Sequence, residues 1–226
     1  MILTPERQRF FGCYIIYRSV LPVEEKKPNA KISKGSQPLT HKMTVAAMLS
    51  AVATVLMFID FPIPLMPGFI KLDVSELPAL LASFSLGPVY GVAVCLIKNV
   101  INLARSSTSG VGEFCNFLLG AVFVFTAGLA YNKMKSRKGA LIGSIIGAIA
   151  MAALSYPINY YITYPIYARF MPMEGIIGMY QAILPSVKTL SDCLWIFNVP
   201  FTFVKGLLDV ALTFLIYKAL SPILHK

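Results

Sequence analysis

Hydrophobic residues make up 57% of the 226 positions and charged residues only 13%, with 20 Lys and Arg against 10 Asp and Glu. A soluble domain carries about 25% charge, so with a mean hydropathy of +0.70 most of this surface is made for a solvent other than water. The excess of ten positive charges suits the cytoplasmic loops of a membrane protein, which collect Lys and Arg, better than it suits a nucleic-acid binder.

Residues 1–42 are polar and basic, with Glu24-Glu25-Lys26-Lys27-Pro28 and Lys31-Ile32-Ser33-Lys34-Gly35 reading as a flexible tail. The apolar run at 10–17 is short for a signal peptide, and no clear small-residue cleavage site follows it. A first apolar span is expected over 43–59. In it Ala47 and Ala51 stand four apart, and Ser50 with Thr54 adds a second small pair; small faces let another helix approach closely. Phe61-Pro62-Ile63-Pro64-Leu65-Met66-Pro67-Gly68 holds four helix breakers and predicts a constrained loop. The apolar stretch over 74–103 is long enough for one tilted span, but Gly87-Pro88 interrupts it and divides it into two short helices. Spans over 111–131, 140–161 and 196–220 follow. Before the last comes a mixed stretch, 165–195, with Pro165, Pro172 and Pro185, which reads as a loop with an interfacial helix.

Charge placement decides whether 74–103 crosses the membrane once or twice. With six spans and the N-terminus inside, cytoplasmic segments hold 14 Lys and Arg against 4 outside; with five spans the split falls to 11 against 7. The positive-inside rule therefore selects an all-α membrane protein of six transmembrane helices with both termini cytoplasmic. It divides into a basic tail, 1–42, and a six-helix domain, 43–222.

Lys98, Lys205 and Asp209 fall inside these spans, where an ionisable group costs about 2.5–3.5 kcal/mol on insertion scales. Lys205 and Asp209 share a helix face and can neutralise each other, and Lys98 can snorkel to an interface. The functional reading is that Lys205 faces a ligand cavity at the outer ends of the helices. Asn99 and Asn116 read as interhelical glue. Asn159 and Asn198 lie near the outer ends of the last two spans beside Tyr156, Tyr160, Tyr161, Tyr164 and Trp195. Those aromatics suit either an interfacial belt or the recognition of a flat, hydrogen-bonding heterocycle.

Cys13, Cys95, Cys115 and Cys193 lack metal-type spacing and read as apolar fillers. His41 and His225 lie outside the apolar segments, so no metal site is expected. No GxxxxGK[ST], HExxH or GxSxG motif is present, which leaves an enzyme without positive support and transport without an ATPase of its own.

Several segments, in order, resemble the substrate-binding S components of energy-coupling factor (ECF) transporters, most closely the riboflavin-specific ones. They are Phe61-Pro62-Ile63-Pro64 with Lys71-Leu72-Asp73-Val74-Ser75-Glu76-Leu77-Pro78, then Leu86-Gly87-Pro88 with Ile97-Lys98-Asn99, and Gly112-Glu113-Phe114-Cys115-Asn116-Phe117. Asn159-Tyr160 with Pro165-Ile166-Tyr167 and Pro200-Phe201-Thr202-Phe203-Val204-Lys205-Gly206 complete the set. The resemblance covers 43–222. It implies a multi-pass cell-membrane protein that binds riboflavin as transported ligand, without a cofactor. A transmembrane coupling (T) subunit and two ATPase subunits would be its partners. Carried over by position, Asn159 and Lys205 would hydrogen-bond the isoalloxazine ring, backbone near Leu72 and Gly112 would help hold the ligand, and Ala47 and Ala51 would dock on the coupling subunit. One position departs: riboflavin binders usually carry Asn three residues before the helix-6 Lys, and here stands Thr202, which points to a flavin analogue such as FMN. An S component for another vitamin is the alternative within transport. A self-contained secondary carrier would use Lys98, Lys205 and Asp209 as an ion path, but the two halves show no evident repeat.

Overall fold

The computed structural model describes residues 38–106 and 108–224. Most of the tail expected at 1–42, with its apolar run and Cys13, lies outside the described residues, as does His225. The first helix, α1, runs Leu39–Phe58, so residues 39–42 belong to it and not to the tail. A two-stranded hairpin follows, β1 (Phe61–Pro62) against β2 (Lys71–Leu72), with Phe61 opposite Leu72 and Pro62 opposite Lys71. The prolines keep the strands to two residues each, because a proline donates nothing to a ladder.

The stretch over 74–103 divides as its glycine and proline require. Helix α2 is Glu76–Ser85 and α3 is Pro88–Asn102. Between them Gly87 takes φ +117°, a value that favours glycine, and Pro88 starts α3, where its missing N–H costs nothing. At about 1.5 Å per residue, α2 is only half the thickness of a hydrocarbon core of about 30 Å. Its shortness is met by burial: every residue from Glu76 to Ser83 is buried, enclosed by α1, α3 and α4 and by the last helix.

Helix α4 is Val111–Met134 and α5 is Arg137–Ile158, joined at Lys135 in the left-handed conformation and capped by the Ser136 hydroxyl, which accepts from the Gly139 N–H. The two pack closely because α5 offers glycines to α4. A Cβ on Gly143 would stand 2.8 Å from the Ala127 carbonyl, and one on Gly147 2.6 Å from that of Phe123. The chain then passes through a π-helical turn (Asn159–Thr163) into α6 (Tyr164–Tyr167), and α7 (Met173–Gln181) provides the helix expected within 165–195. Helix α8 (Leu190–Cys193) opens with a Thr189–Asp192 capping box and runs through a second π-helical turn (Leu194–Asn198) into α9, Val199–Leu224.

Among the described residues, four helical segments are long and apolar enough to cross a membrane: Leu39–Phe58, Val111–Met134, Arg137–Tyr167 and Leu190–Ile216. The outward faces of these segments and of α3 carry large apolar residues. Val52 and Val55 on α1, Val89 and Val100 on α3, and Ile142, Ile145 and Ile149 on α5 are all exposed. Such a surface matches lipid, which sets no hydrophobic contrast between the inside and outside of a bundle.

Candidate ligand-binding site

The hairpin loop, the ends of α3 and α5 and the starts of α4 and α9 enclose a cavity of ≈ 230 Å³. Asp60, Phe69, Ile70, Lys71 and Asp73 come from the first loop; Gly112, Glu113, Cys115 and Asn116 from α4; and Asn159, Tyr164 and Tyr167 from the α5–α6 junction. Asn198, Thr202 and Lys205 come from the start of α9 and the turn before it. Proline shapes two of these walls. Pro165 and Pro200 each follow one of the π-helical turns. A proline ring strikes the carbonyl four residues back and leaves it without an N–H, and a wider turn relieves both faults. Each of these turns carries an asparagine of the cavity wall, Asn159 or Asn198.

Lys205 is 6% exposed in its side chain and pairs with Asp73 at 2.8 Å, while also donating to Asn116 Oδ1 at 3.1 Å. Of the three ammonium hydrogens, one is left over. Ser75 Oγ and Ser75 N–H both donate to Asp73. Burial pushes the Asp73 carboxyl upward, but the nearby charges of Lys205 and Lys98 and the hydrogen bonds from Lys205 and Ser75 outweigh it, holding the group well below the usual carboxylate range. Asp73 is therefore ionised at neutral pH. Its share of stability is fully present above the ordinary carboxylate range and is lost only as pH falls through its lowered value.

The other polar groups form two nets. Thr202 Oγ1 lies 3.0 Å from Ser155 Oγ; Asn159 Nδ2 donates to the Ser155 carbonyl at 2.8 Å and to its Oγ at 3.2 Å. At the mouth, Glu113 sits in the first turn of α4, where the helix dipole favours a carboxylate. It accepts from Ser106 Oγ (2.7 Å), Thr108 Oγ1 (3.2 Å) and Asn102 Nδ2 (3.3 Å). A Cβ on Gly112 would come within 2.7 Å of Thr108 Oγ1 and 3.2 Å of the Tyr167 hydroxyl, so this position has room only for hydrogen.

The structure brings Gly112, Asn159, Thr202 and Lys205 together on one cavity. Leu72 does not line it. It pairs with Phe61 in the hairpin, and its neighbours Lys71 and Asp73 reach the cavity instead. Two expectations are corrected. Lys205 takes Asp73 from the loop as its partner, not Asp209 on its own helix, because Asp73 reaches it directly while both Asp209 oxygens have no hydrogen-bond partner. Lys98 does not snorkel; it is fully buried and bonds Glu76 at 2.7 Å and Ser75 Oγ at 2.6 Å. Asn116 is more than glue: it bonds Asn99 at 3.2 Å and also receives Lys205.

The aromatic group divides. Tyr164 lines the cavity, whereas Tyr156 stacks with Tyr160 and Trp195 at 5.6 and 5.0 Å, and Tyr161 and Trp195 are largely exposed, as an interfacial belt would be. Asn198 bonds the hydroxyls of Tyr164 and Tyr180, fastening α7 beside the cavity. Asp73, Glu113 and Tyr167 were not singled out in the sequence. Asp73 lies three residues before Glu76, and two carboxylates beside an apolar stretch that holds a buried Lys are the signal that could have found it. On α1, Ala47 and Ala51 are exposed and do not line the cavity, while Ser50 and Thr54 face inward and donate to carbonyls one turn back.

Residues 41–217 match the family model described as ECF transporter, substrate-specific component. A riboflavin transporter, RibU, of Staphylococcus aureus (strain TCH60) is 36% identical over 185 residues, covering 82% of this chain and 93% of that protein. Another riboflavin transporter, FmnP of Bacillus subtilis (strain 168), is 32% identical over 186 residues, 80% of this chain and 92% of its own length. A solved structure described as the S component of a bacterial ECF transporter superposes with a TM-score of 0.66 at 35% identity, over 84% of this chain and all of the other.

Proposed function

The chain belongs to the family of ECF transporter substrate-specific components, and from that premise we propose that it binds riboflavin at the extracellular face and delivers it inward as part of an ATP-driven importer of the cell membrane. Residues 43–222 form the transport domain, crossing the bilayer six times with both termini in the cytoplasm; α2 and α3 cross as protein-covered helices. The observation that carries the reading is the convergence of Lys205, Asn159, Thr202 and Asn116 with Phe69, Tyr164 and Tyr167 on one cavity under the first loop. A flat, polar-edged heterocycle needs apolar faces and a few placed donors, and the unused Lys205 hydrogen and the amide groups supply donors. Gly112 and the backbone beside Leu72 complete the walls. The exposed Ala47–Ala51 face of α1 docks on a transmembrane coupling subunit, which two ATPase subunits drive.

The test is titration of riboflavin into the purified protein, read by quenching of flavin fluorescence. Sub-micromolar, saturable quenching at one site per chain supports the reading; no quenching, with thiamine or biotin binding instead, overturns it.

A second reading, FMN as ligand, is favoured by Lys71 and Arg105 at the cavity mouth. Arg105 is exposed and Lys71 half-buried, and they share one carboxylate, Asp60, at 4.0 and 2.9 Å. Competition between FMN and riboflavin decides it: displacement by FMN that Arg105→Ala abolishes, with riboflavin binding intact, favours the phosphate.

A further inference from the structure

Among the described residues, the only buried side-chain oxygens without a hydrogen-bond partner are the two of Asp209. The residue is fully buried on α9, one turn beyond Lys205. The charged groups that act on it are Lys205 on its own helix, Glu76 on α2, Asp73 on the loop and Lys98 on α3. The buried face of α5, which packs on α9, presents small and apolar residues with two serines and no charge. Glu76 already holds Lys98, and Asp73 already holds Lys205. The cluster thus contains three carboxyls and two ammonium groups, and the unmatched carboxyl is the one without a hydrogen bond. A carboxylate in that position is not tolerated in a low-dielectric interior without a proton or a cation, and among the described residues the cations that act on it are the two already paired, Lys205 and Lys98.

The partner that Asp209 lacks is nevertheless one turn away on its own helix. Residues four apart on a helix are side-chain neighbours, so Lys205 can turn from Asp73 to Asp209 by changing rotamer. The Asp73–Lys205 pair joins the first loop to α9 across the cavity. That loop is held besides by a hairpin of two residues per strand, by the half-buried Asp60 paired with Lys71 and Arg105, and by Phe69 packed on Tyr167 and Tyr180.

We propose that Asp209 is a proton-binding site, and that Lys205 serves two carboxylates in turn, Asp73 while the first loop is shut and Asp209 when it lifts. With the loop shut, Asp209 carries a proton and the cluster is neutral. When the loop lifts, Asp73 passes into water as a carboxylate, the O–H bond of Asp209 breaks, its proton leaves to water through the opened cavity, and the Lys205 ammonium pairs with the new carboxylate. Closing reverses each step, so one proton is released per opening and taken up per closing. High pH therefore favours the open loop. The inference rests on the riboflavin reading only for one of its two measurements.

The first measurement needs no ligand: the infrared difference between wild type and Asp209→Asn at neutral pH. It is expected to show a protonated-carboxyl stretch that the variant lacks; absence of that band overturns the proposal. The second is the rate at which bound riboflavin leaves the protein, followed by recovery of its fluorescence on dilution. In wild type the rate is expected to rise with pH, by up to about tenfold per pH unit. Asparagine copies the shape of the protonated acid but has no proton to release and no charge to offer Lys205. Asp209→Asn is therefore expected to release riboflavin slowly and at one rate across the same range. A wild-type rate indifferent to pH, or a variant with the wild-type slope, overturns the proposal. Failure of riboflavin to bind at any pH overturns the assigned ligand instead, and the infrared result then decides this inference by itself.

Discussion

Among the described residues two lysines are buried within helices, Lys98 and Lys205, and both find a carboxylate within the same four-residue segment. Lys98 meets Glu76 at 2.7 Å with the two side chains 0% and 1% exposed; Lys205 meets Asp73 at 2.8 Å with 6% and 9%. The first pair joins α3 to the start of α2, between elements packed along their length, and is sealed by Ser75 and by Cys95, whose thiol donates to Glu76 at 3.2 Å. The second joins a helix to a loop, opens on a cavity and leaves one ammonium hydrogen unused. Like chemistry thus does unlike work: one pair is a fastening inside the bundle, and the other is a wall of the site.

Removing one partner from each separates the roles. Lys98→Met leaves Glu76 buried without compensation, and the loss of an ion-pair partner at such a site costs about 3–5 kcal/mol. The thermal midpoint in detergent is expected to fall steeply, and the double variant with Glu76→Gln is expected to recover most of it. If Lys98→Met alone is neutral, the pair is no fastening. Lys205→Ala is expected to cost about 2–3 kcal/mol of riboflavin affinity, within the range for truncating one partner of a buried charge pair, with a smaller drop in midpoint. Unchanged affinity by fluorescence titration would make the two lysines alike. Thr202→Val removes one hydroxyl bonded to Ser155 and is expected to weaken binding by about 1 kcal/mol; a larger loss would mean that the hydroxyl touches the ligand. At the far end of the scale, Ala47→Leu and Ala51→Leu, on the exposed face of α1, are expected to leave affinity and midpoint unchanged while abolishing uptake by cells. Loss of binding instead would mean that the change on this face reaches the cavity through α1, whose Met57 lines it.

The same comparison shows what the sequence can reveal. Helix positions followed from apolar runs and from Gly87-Pro88, Pro62 and Pro64, because backbone chemistry acts locally. Partners did not follow. Lys205 and Asp209 stand four apart and invite pairing, yet the partner of Lys205 lies 132 residues away, and no periodicity along a chain reports which loop folds back over which helix. At Leu72 the expectation concerned backbone near it, and its neighbours Lys71 and Asp73 line the cavity; which of these side chains faces it was not legible, since alternate strand residues face opposite ways and a two-residue strand leaves little pattern to read. Likewise Tyr156, Tyr160 and Trp195 could serve the belt or the ligand until the π-helical turns set their direction.

The burial of α2 from Glu76 to Ser83 has a consequence for how the chain enters the membrane during synthesis. A ten-residue helix that starts with a carboxylate is too short and too polar to partition into lipid by itself. It becomes acceptable only with Lys98 folded against Glu76, and Lys98 arrives at the insertion machinery 22 residues later. If α2 and α3 cross the bilayer as proposed, they are expected to insert as one hairpin hinged at Gly87-Pro88, with their opposite charges already cancelled. A variant without Lys98 should fail first as a biogenesis defect, with the protein degraded before it is assembled.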